Sequence, residues 1–232
     1  SDHLVERPIH EDVAPVGSRE PQLSPRSRLG EGAQASVYQA FDQLLETDIA
    51  IKLVHGDTAL PLKIQQLRNE VMVARKIQHP NVIQVHDVFC DDERVFFTMA
   101  LISGWPVQEC LHEPLSKKQF GQWCEQLTGA IAACQQQQLV HGDIKPDNII
   151  ITEDHDLLLI DFGIGSSVAE QEQLSGHRDY AAPEVLQSGK ISPQSDTYSA
   201  GKVLQLLLQN VQLSPLSVTD KLWHRQQHKF IA

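Results

Sequence analysis

Apolar and polar residues alternate along much of the first half of the chain, the pattern of half-buried β-strands. Residues 1–25 carry no such periodicity and are rich in Pro, Glu, Ser and Arg, so they predict a flexible arm. Beyond the arm, the alternation predicts five strands, at 26–30, 36–42, 48–54, 82–89 and 94–101. Apolar residues recur at helical spacing over 62–77 and predict one helix between the third and fourth strands.

Helical patterns dominate the second half of the chain. Ser116 is followed three residues later by Gln119, a capping-box signature, and an apolar stripe follows it, so a long helix is predicted to begin there. Another helix is predicted from Ser195 or Asp196 to about Val211.

A hairpin and a loop are predicted between these two helices. Short apolar runs at 149–152 and 157–160 bracket an acidic turn and predict the hairpin, and residues 162–183 have the composition of a loop. Strands with one helix, followed mainly by helices, indicate an α+β fold of two unequal lobes with a cleft between them. We expect the smaller lobe over 26–102 and the other over 103–232.

Charge and cysteine content narrow the class of partner and the compartment. A formal net charge of −11 argues against nucleic acid or an anionic membrane surface as partner, because both require clustered Lys and Arg. The four cysteines form no CxxC pair and no metal-ligand spacing, which favours a reducing compartment such as the cytoplasm. No apolar segment is long enough to span a membrane, and no signal peptide is recognisable.

A glycine-containing turn joins the first two predicted strands. Glycines there let backbone N–H groups approach phosphate oxygens without an intervening Cβ atom. The turn reads Gly30-Glu31-Gly32-Ala33-Gln34-Ala35-Ser36-Val37. Taken alone, this signal is weak, and a hairpin turn without a ligand is the better interpretation.

Lys52 ends the third strand, in Ala50-Ile51-Lys52, and Glu70 lies on the helix that follows. Each residue alone is best interpreted as a solvated surface charge. In this order after the glycine turn, however, they form a testable ion pair in which the carboxylate holds the lysine for binding to phosphates.

The most specific motif runs from His141 to Asn148 and is followed, after the predicted hairpin, by Asp161-Phe162-Gly163. Phosphoryl transfer requires positioning and charge neutralisation from the protein. Asp143 can take up the proton of an acceptor hydroxyl, and Lys145 can neutralise the transferred phosphate. Asn148 and Asp161 supply hard oxygen ligands, which suit Mg²⁺. A polar turn with an unrelated bend is the structural alternative.

From about Arg26 to Asn210 the chain resembles the eukaryotic-type (Hanks-type) serine/threonine protein-kinase family. The resemblance includes the glycine-rich turn, the strand lysine, the helix glutamate, the catalytic loop and Asp-Phe-Gly. Two further motifs match, Ala182-Pro183-Glu184 and Asp196-Thr197-Tyr198-Ser199-Ala200-Gly201, whose aspartate braces the catalytic loop in the family.

The resemblance implies a bilobal kinase fold, a protein substrate, and ATP with Mg²⁺, or alternatively Mn²⁺. It assigns catalysis to Asp143, Lys145, Lys52 and Glu70, and the metal to Asn148 and Asp161. Met99 would be the gatekeeper beside the adenine. The nucleotide-binding residues implied are Gly30, Glu31, Gly32, Ala33, Val37, Ala50, Lys52, Met99, Ala100, Ile102 and Ile150.

The chain departs from the family pattern inside its motifs. Ala35 replaces the third loop glycine, and Gly142 replaces the arginine that normally pairs with a phosphorylated activation loop. We therefore expect activity without loop phosphorylation. His177 stands where serine/threonine kinases usually have a threonine, whereas Lys145 favours serine/threonine over tyrosine specificity.

The part of the chain after the last predicted helix is short, at about twenty residues. Either the protein is a compact bacterial kinase or the chain is truncated. One kind of compact bacterial kinase would be an effector that is delivered into a host cell. A short C-terminal lobe would expose apolar surface that an activating or stabilising protein partner could cover.

Two other functions compete with an active protein kinase. His-Gly-Asp also occurs in small-molecule kinases related to aminoglycoside phosphotransferases, although these generally lack the two motifs after the Asp-Phe-Gly. A nucleotide-binding pseudokinase scaffold is the third hypothesis, and its usual signature is loss of a catalytic Lys, Asp or Asn. None of these residues is lost here.

Overall fold

The computed structural model of the chain describes residues 23–31, 35–55, 61–90, 95–161 and 178–211. Its N-terminal part is an antiparallel five-stranded sheet in the order β1-β2-β3-β5-β4. The strands are β1 (Leu23–Glu31), β2 (Ala35–Asp42), β3 (Thr47–Val54), β4 (Val85–Cys90) and β5 (Val95–Ala100). All five predicted strands of this sheet are therefore confirmed.

All five strands begin at a residue other than the predicted one: β2, β3 and β5 differ by a single residue, and β1 and β4 by three. β1 begins at Leu23, so three residues that composition assigned to the arm belong to the sheet. β4 begins only at Val85, because Val82 pairs in parallel with Leu159 of a second sheet instead. Alternation along a strand does not reveal which sheet a residue joins.

Helix α1 (Pro61–Ala74) follows β3 and confirms the predicted N-terminal helix. Val71 and Ala74 on it are fully buried. The helix ends three residues before its predicted end, since residues 75 and 76 form a turn. Ile77 is buried all the same, so helical spacing alone placed the boundary too late.

The C-terminal part is mainly helical and contains a small three-stranded sheet in the order β6-β7-β8. The fold class is therefore α+β, with a lobe built on the five-stranded sheet and a mainly helical lobe, as predicted. The helices are α2 (Val107–Cys110), α3 (Lys117–Gln136), α4 (Pro183–Ser188) and α5 (Pro193–Gln209), and the strands are β6 (Gly104–Pro106), β7 (Ile149–Thr152) and β8 (Leu157–Leu159). The hairpin β7–β8 and the two long helices were predicted; β6, α2 and α4 were not.

Capping at the two long helices differs from the prediction. Ser116 accepts a hydrogen bond from the Gln119 backbone N–H at 3.0 Å, but the Gln119 side chain donates to the His155 carbonyl instead of completing a capping box. The complete box is at α5, where Ser192 and Ser195 bond reciprocally. Because Ser192 is the N-cap, α5 begins at Pro193, two residues before the earlier of its predicted starts.

One buried apolar cluster joins the two parts of the molecule. It contains Val37 and Ala50 from the first sheet, Ile150 from the second, Leu127 of α3 and Val203 of α5. A separate cluster occupies the other face of the first sheet. Among the described residues, no helix is both long and apolar enough to cross a membrane.

Candidate active site

The catalytic loop, residues 141–148, is held in place from below by α5. The Asp196 carboxylate accepts backbone N–H bonds from His141 at 2.7 Å and from Gly142 at 2.9 Å. Asp196 is only 1% exposed. Burial raises its pKa to about 6, although the two backbone bonds act in the opposite direction. The brace predicted for this aspartate is present.

His141 links the catalytic loop to the end of β8. Its Nδ1 accepts from the Asp143 N–H at 3.3 Å, and its Nε2 lies 3.0 Å from the Ile160 carbonyl oxygen. A backbone N–H can only donate and a carbonyl can only accept, so the ring carries its proton on Nε2. Burial lowers the pKa of His141 to about 4, and the imidazole is therefore neutral at pH 7.

The Asp143 carboxylate is oriented by two neighbours. Its Oδ2 accepts from Asn148 Nδ2 at 2.7 Å and lies 3.0 Å from Lys145 Nζ. Asn148 Nδ2 also donates to the Asp143 carbonyl at 2.8 Å. The side chains of Asp143 and Lys145 are only 15% and 14% exposed. Three of the predicted residues thus form one connected group.

Lys52 approaches this group from the first sheet. Its Nζ forms an ion pair with Asp161, and its side chain is 12% exposed. Burial lowers the pKa of Lys52 to about 8; the nearby Asp143 carboxylate raises it and Lys145 lowers it. Asp143, Lys145, Lys52 and Asp161 therefore interact electrostatically as one cluster between the two lobes.

Glu70 lies half-buried on α1, and its role as the partner of Lys52 stays a prediction, because the ion pair of Lys52 here is with Asp161. The sequence shows that Glu70 follows Lys52 along the chain. It does not show whether the carboxylate of Glu70 or that of Asp161 pairs with the lysine amine.

The predicted adenine-side residues lie on one face of the sheet and beneath it. Val37 pairs with Lys52 across β2–β3, and Ala50 pairs with Met99 across β3–β5. Ala50, Met99 and Ile150 are at most 2% exposed. Ala100 and Ile102 are half-buried and pack on the same cluster.

Several predicted residues are at the edge of the described regions or beyond them. Gly30 and Glu31 end β1. The remaining loop residues Gly32 and Ala33 lie outside the described residues, as do Phe162 and His177.

Asn148 and Asp161 fit a divalent cation by their chemistry and placement. Both hydrogen bonds of the Asn148 amide nitrogen go to Asp143, so the amide oxygen is the atom left for a ligand. The backbone bond from Ile160 N to Asn148 O, at 3.0 Å, brings the end of β8 beside the 148 position. An amide oxygen and a carboxylate are the hard donors that Mg²⁺ prefers.

An open cleft within the C-terminal lobe adjoins Asp143 and Lys145, and this cleft was not predicted from the sequence. Its far wall is apolar and comes from Val185, Leu186 and Ile191, around the unpredicted helix α4. Pro183 at the first position of α4 is the sequence signal that could have revealed this helix.

Comparison with known proteins agrees with this geometry. The protein kinase domain matches residues 23–231. The chain is 32% identical over 188 residues to the serine/threonine-protein kinase PrkC of Bacillus subtilis, covering 78% of this chain and 29% of that protein. It is 30% identical over 193 residues to CBL-interacting protein kinase 5 of Oryza sativa, covering 78% and 41%.

A third relative is CBL-interacting serine/threonine-protein kinase 20 of Arabidopsis thaliana, which is 32% identical over 194 residues, covering 78% of this chain and 43% of that protein. The chain thus spans less than half the length of each of these relatives. The residues matched by the protein kinase domain nevertheless include both lobes and the whole cluster of charged side chains between them, which consists of Asp143, Lys145, Lys52 and Asp161. This chain belongs to the protein kinase family and is related to its Hanks-type serine/threonine kinases.

Proposed function

We propose that this chain is a catalytic unit that transfers the γ-phosphate of Mg-ATP to serine or threonine hydroxyls of a protein. The observation that carries the proposal is the Asp143 carboxylate, oriented through Oδ2 by Asn148 and Lys145 beside the Lys52–Asp161 ion pair. The names of the relatives support a protein hydroxyl as the acceptor.

Each residue of the cluster has a role in this reaction. The bond from the acceptor oxygen to the γ-phosphorus forms while the bond to the bridging oxygen of ADP breaks, and the acceptor proton passes to the Asp143 carboxylate. Lys145 neutralises charge on the transferred group. Lys52 binds the α- and β-phosphates, with Glu70 as the carboxylate that holds it once Asp161 turns to other ligands.

The remaining proposed contacts surround the nucleotide. Asn148 and Asp161 would hold Mg²⁺ or Mn²⁺, which when bound neutralises phosphate charge. The phosphates would contact the turn and the adenine would lie between the sheet and the C-terminal lobe. The residues proposed for these contacts are Gly30, Glu31, Gly32, Ala33, Val37, Ala50, Met99, Ala100, Ile102 and Ile150.

Activity should not require phosphorylation of the activation loop. Gly142 has no side chain with which to bind a phosphate, and Asp196 already holds its backbone N–H at 2.9 Å. The backbone φ of Gly142 is +79°, a value that favours glycine at this position. Treating the protein with a phosphatase should leave kcat unchanged; abolished activity would show that a loop phosphate is needed.

The deciding experiment is transfer of radiolabelled γ-phosphate with Mg²⁺ by wild type and Asp143→Ala. Losing a general base lowers kcat by roughly 10²- to 10⁴-fold. The matched control is Asp154→Ala, an exposed aspartate in the β7–β8 turn. Acceptors are the protein itself, a generic protein and small hydroxyl compounds.

The identity of the labelled acceptor separates the competing functions. Label on protein serines or threonines that is lost only in Asp143→Ala supports a protein kinase. Label on small hydroxyl compounds alone indicates a small-molecule kinase. ATP binding without any transfer indicates a nucleotide-binding scaffold.

We place the enzyme in a reducing compartment, the cytoplasm of the producing cell or of a host that receives it. Cys110, Cys124 and Cys134 are free thiols, which supports this location. We further propose a protein partner on the C-terminal lobe, where Tyr198 and Leu208 of α5 are 42% and 55% exposed. Tyr198→Ser with Leu208→Ser should then reduce capture of that partner while leaving Mg-ATP binding unchanged.

A further inference from the structure

A buried serine lies near the end of the glycine-containing motif, in the strand that follows the turn. Ser36 is the second residue of β2 and is only 3% exposed. Its Oγ lies 2.8 Å from Nε2 of His55, the residue that follows β3. A buried hydroxyl needs a hydrogen-bond partner, and the imidazole supplies one whether Nε2 donates or accepts.

The strand register shows what this hydrogen bond connects. Ser36 is opposite Leu53 across β2–β3 and opposite Glu31 across β1–β2. His55 comes two residues after Leu53, so it continues the same face of the sheet. The bond therefore ties the first residues of β2 to the end of β3, just where the turn leaves the sheet.

The bond acts from the face opposite the nucleotide-binding residues. Ser36 and Val37 are consecutive in a strand, so their side chains point to opposite faces. Val37 pairs with Lys52 and shares the face toward the cleft. Neither Ser36 nor His55 can reach the nucleotide directly, and any effect on it must pass through the backbone of the turn.

We propose that His55 is a positioning residue for ATP binding: through Ser36 it fixes the first residues of β2, which follow the glycine-containing turn in the chain, to the end of β3. The inference rests on the proposed function, because it assigns a role to the turn in binding ATP phosphates. Fixing the start of β2 limits the conformational freedom of the backbone that follows the turn, which reduces the ordering required when ATP binds.

The test compares the affinities of the 232-residue chain for Mg-ATP and for adenosine, which has no phosphates. The variants are Ser36→Ala, His55→Ala and the double variant. His55→Gln retains a hydrogen-bonding side chain, and Ser27→Ala removes a serine hydroxyl elsewhere in the same sheet, where its bond to Gln39 is 3.5 Å long. Thermal unfolding of every variant verifies folding.

We expect each single alanine variant to raise the Kd for Mg-ATP by roughly two- to tenfold, the equivalent of one net hydrogen bond. The Kd for adenosine and the kcat at saturating ATP should stay unchanged, and the double variant should be no worse than either single one. His55→Gln should restore most of the affinity, and Ser27→Ala should behave as wild type.

Other results would overturn the inference and leave the proposed function intact. Equal losses for adenosine and Mg-ATP would mean that the bond stabilises the whole lobe and does not position the turn. Additive effects in the double variant would mean that Ser36 and His55 do not act through each other. A wild-type chain that binds no ATP would instead refute the proposed function itself.

Discussion

Two buried titratable side chains, His141 and Asp196, hold the backbone of the catalytic loop and respond to pH in opposite directions. Burial lowers the pKa of His141 from 6.5 to about 4 and raises the pKa of Asp196 from 3.8 to about 6. Between about pH 4 and 6.5 the unfolded chain binds a proton at His141 that the folded chain does not. Between about pH 6 and 3.8, in contrast, the folded chain binds a proton at Asp196 that the unfolded chain does not.

His141 therefore lowers the free energy of unfolding as the pH falls from 6.5 toward about 4, while Asp196 partly compensates. As the pH falls from 6.5 toward about 4, we expect the free energy of unfolding of His141→Leu to decrease less than that of wild type, by on the order of 1–3 kcal/mol. Urea unfolding of wild type and variant at several pH values measures it as the difference between the two curves. Parallel curves would contradict the lowered pKa, since Asp196 is common to both proteins.

Asp143 and Asp161 should have separable effects although both belong to one cluster. Asp161→Ala removes a proposed metal ligand and the ion-pair partner of Lys52, so the Kd for Mg-ATP should rise at least about tenfold. Asp143→Ala should change that Kd little and lower kcat instead, because its contact with the acceptor matters chiefly during transfer.

Isothermal titration with Mg-ATP, together with single-turnover transfer, measures the two effects. Thermal unfolding shows whether the loss of a charge beside the buried Lys52 has affected the fold. Unchanged Mg-ATP affinity in a folded Asp161→Ala protein would argue against Asp161 as a metal ligand.

At the scale of elements, Gly104 allows β6 to approach β7 closely. A Cβ atom there would lie 2.4 Å from the Ile151 carbonyl oxygen and 2.6 Å from the Ile150 side chain. Backbone cannot move aside as a flexible side chain can, so β6–β7 pairing depends on glycine at this position. β6 follows Ile102 closely in the chain and β7 contains Ile150, and both residues are proposed to contact the adenine.

We expect Gly104→Ala to destabilise the protein by about 1–3 kcal/mol through overpacking. Gly121→Ala is the matched control: it lies inside α3 with no atom within 4 Å of the added Cβ, and should stabilise by about 0.5–1 kcal/mol. Denaturant unfolding of both variants provides the comparison. Equal effects from the two substitutions would contradict the close approach.

The elements themselves were largely predictable, because strands and long helices repeat a pattern over many residues. The elements that were missed are short: β6 has three residues, α2 has four and α4 has six. Elements of that length span fewer than about two periods of the strand or helix repeat, so no recurring pattern marks them in the sequence. The start of α5 was missed for another reason, since Ser192, Ser195 and Asp196 are all acceptable N-caps by residue type.

For the molecule as a whole, a short segment after α1 adds backbone hydrogen bonds between the two lobes. Backbone bonds of 2.9 Å run from Leu159 N to Asn81 O and from Ile83 N to Leu159 O. The buried Asn81 side chain adds a bond of 2.7 Å to the Leu157 carbonyl. A segment of the N-terminal lobe thus adds an edge to the sheet whose β7–β8 hairpin is flanked by the predicted metal ligands Asn148 and Asp161.

Asn81→Ala should destabilise the folded protein by about 1–3 kcal/mol, because the buried Leu157 carbonyl loses its amide partner. Gln43→Ala is the control, an exposed amide that bonds to Ser24 in a surface turn, and it should change stability by less than about 0.5 kcal/mol. Thermal denaturation measures both. If the two variants unfold alike, Asn81 does not hold the lobes together.

The order of motifs in the sequence by itself determined the family, the fold class and the candidate catalytic residues, because the functional groups of residues such as Asp143, Asn148 and Lys52 are identified by residue type alone. Only the tertiary structure decided their partners. It paired Lys52 with Asp161, and it placed Ser36 against His55 and Asn81 against Leu157. The reason is physical: an ion pair or a buried hydrogen bond depends on which groups packing brings within a few ångströms, and a one-dimensional pattern does not contain that distance.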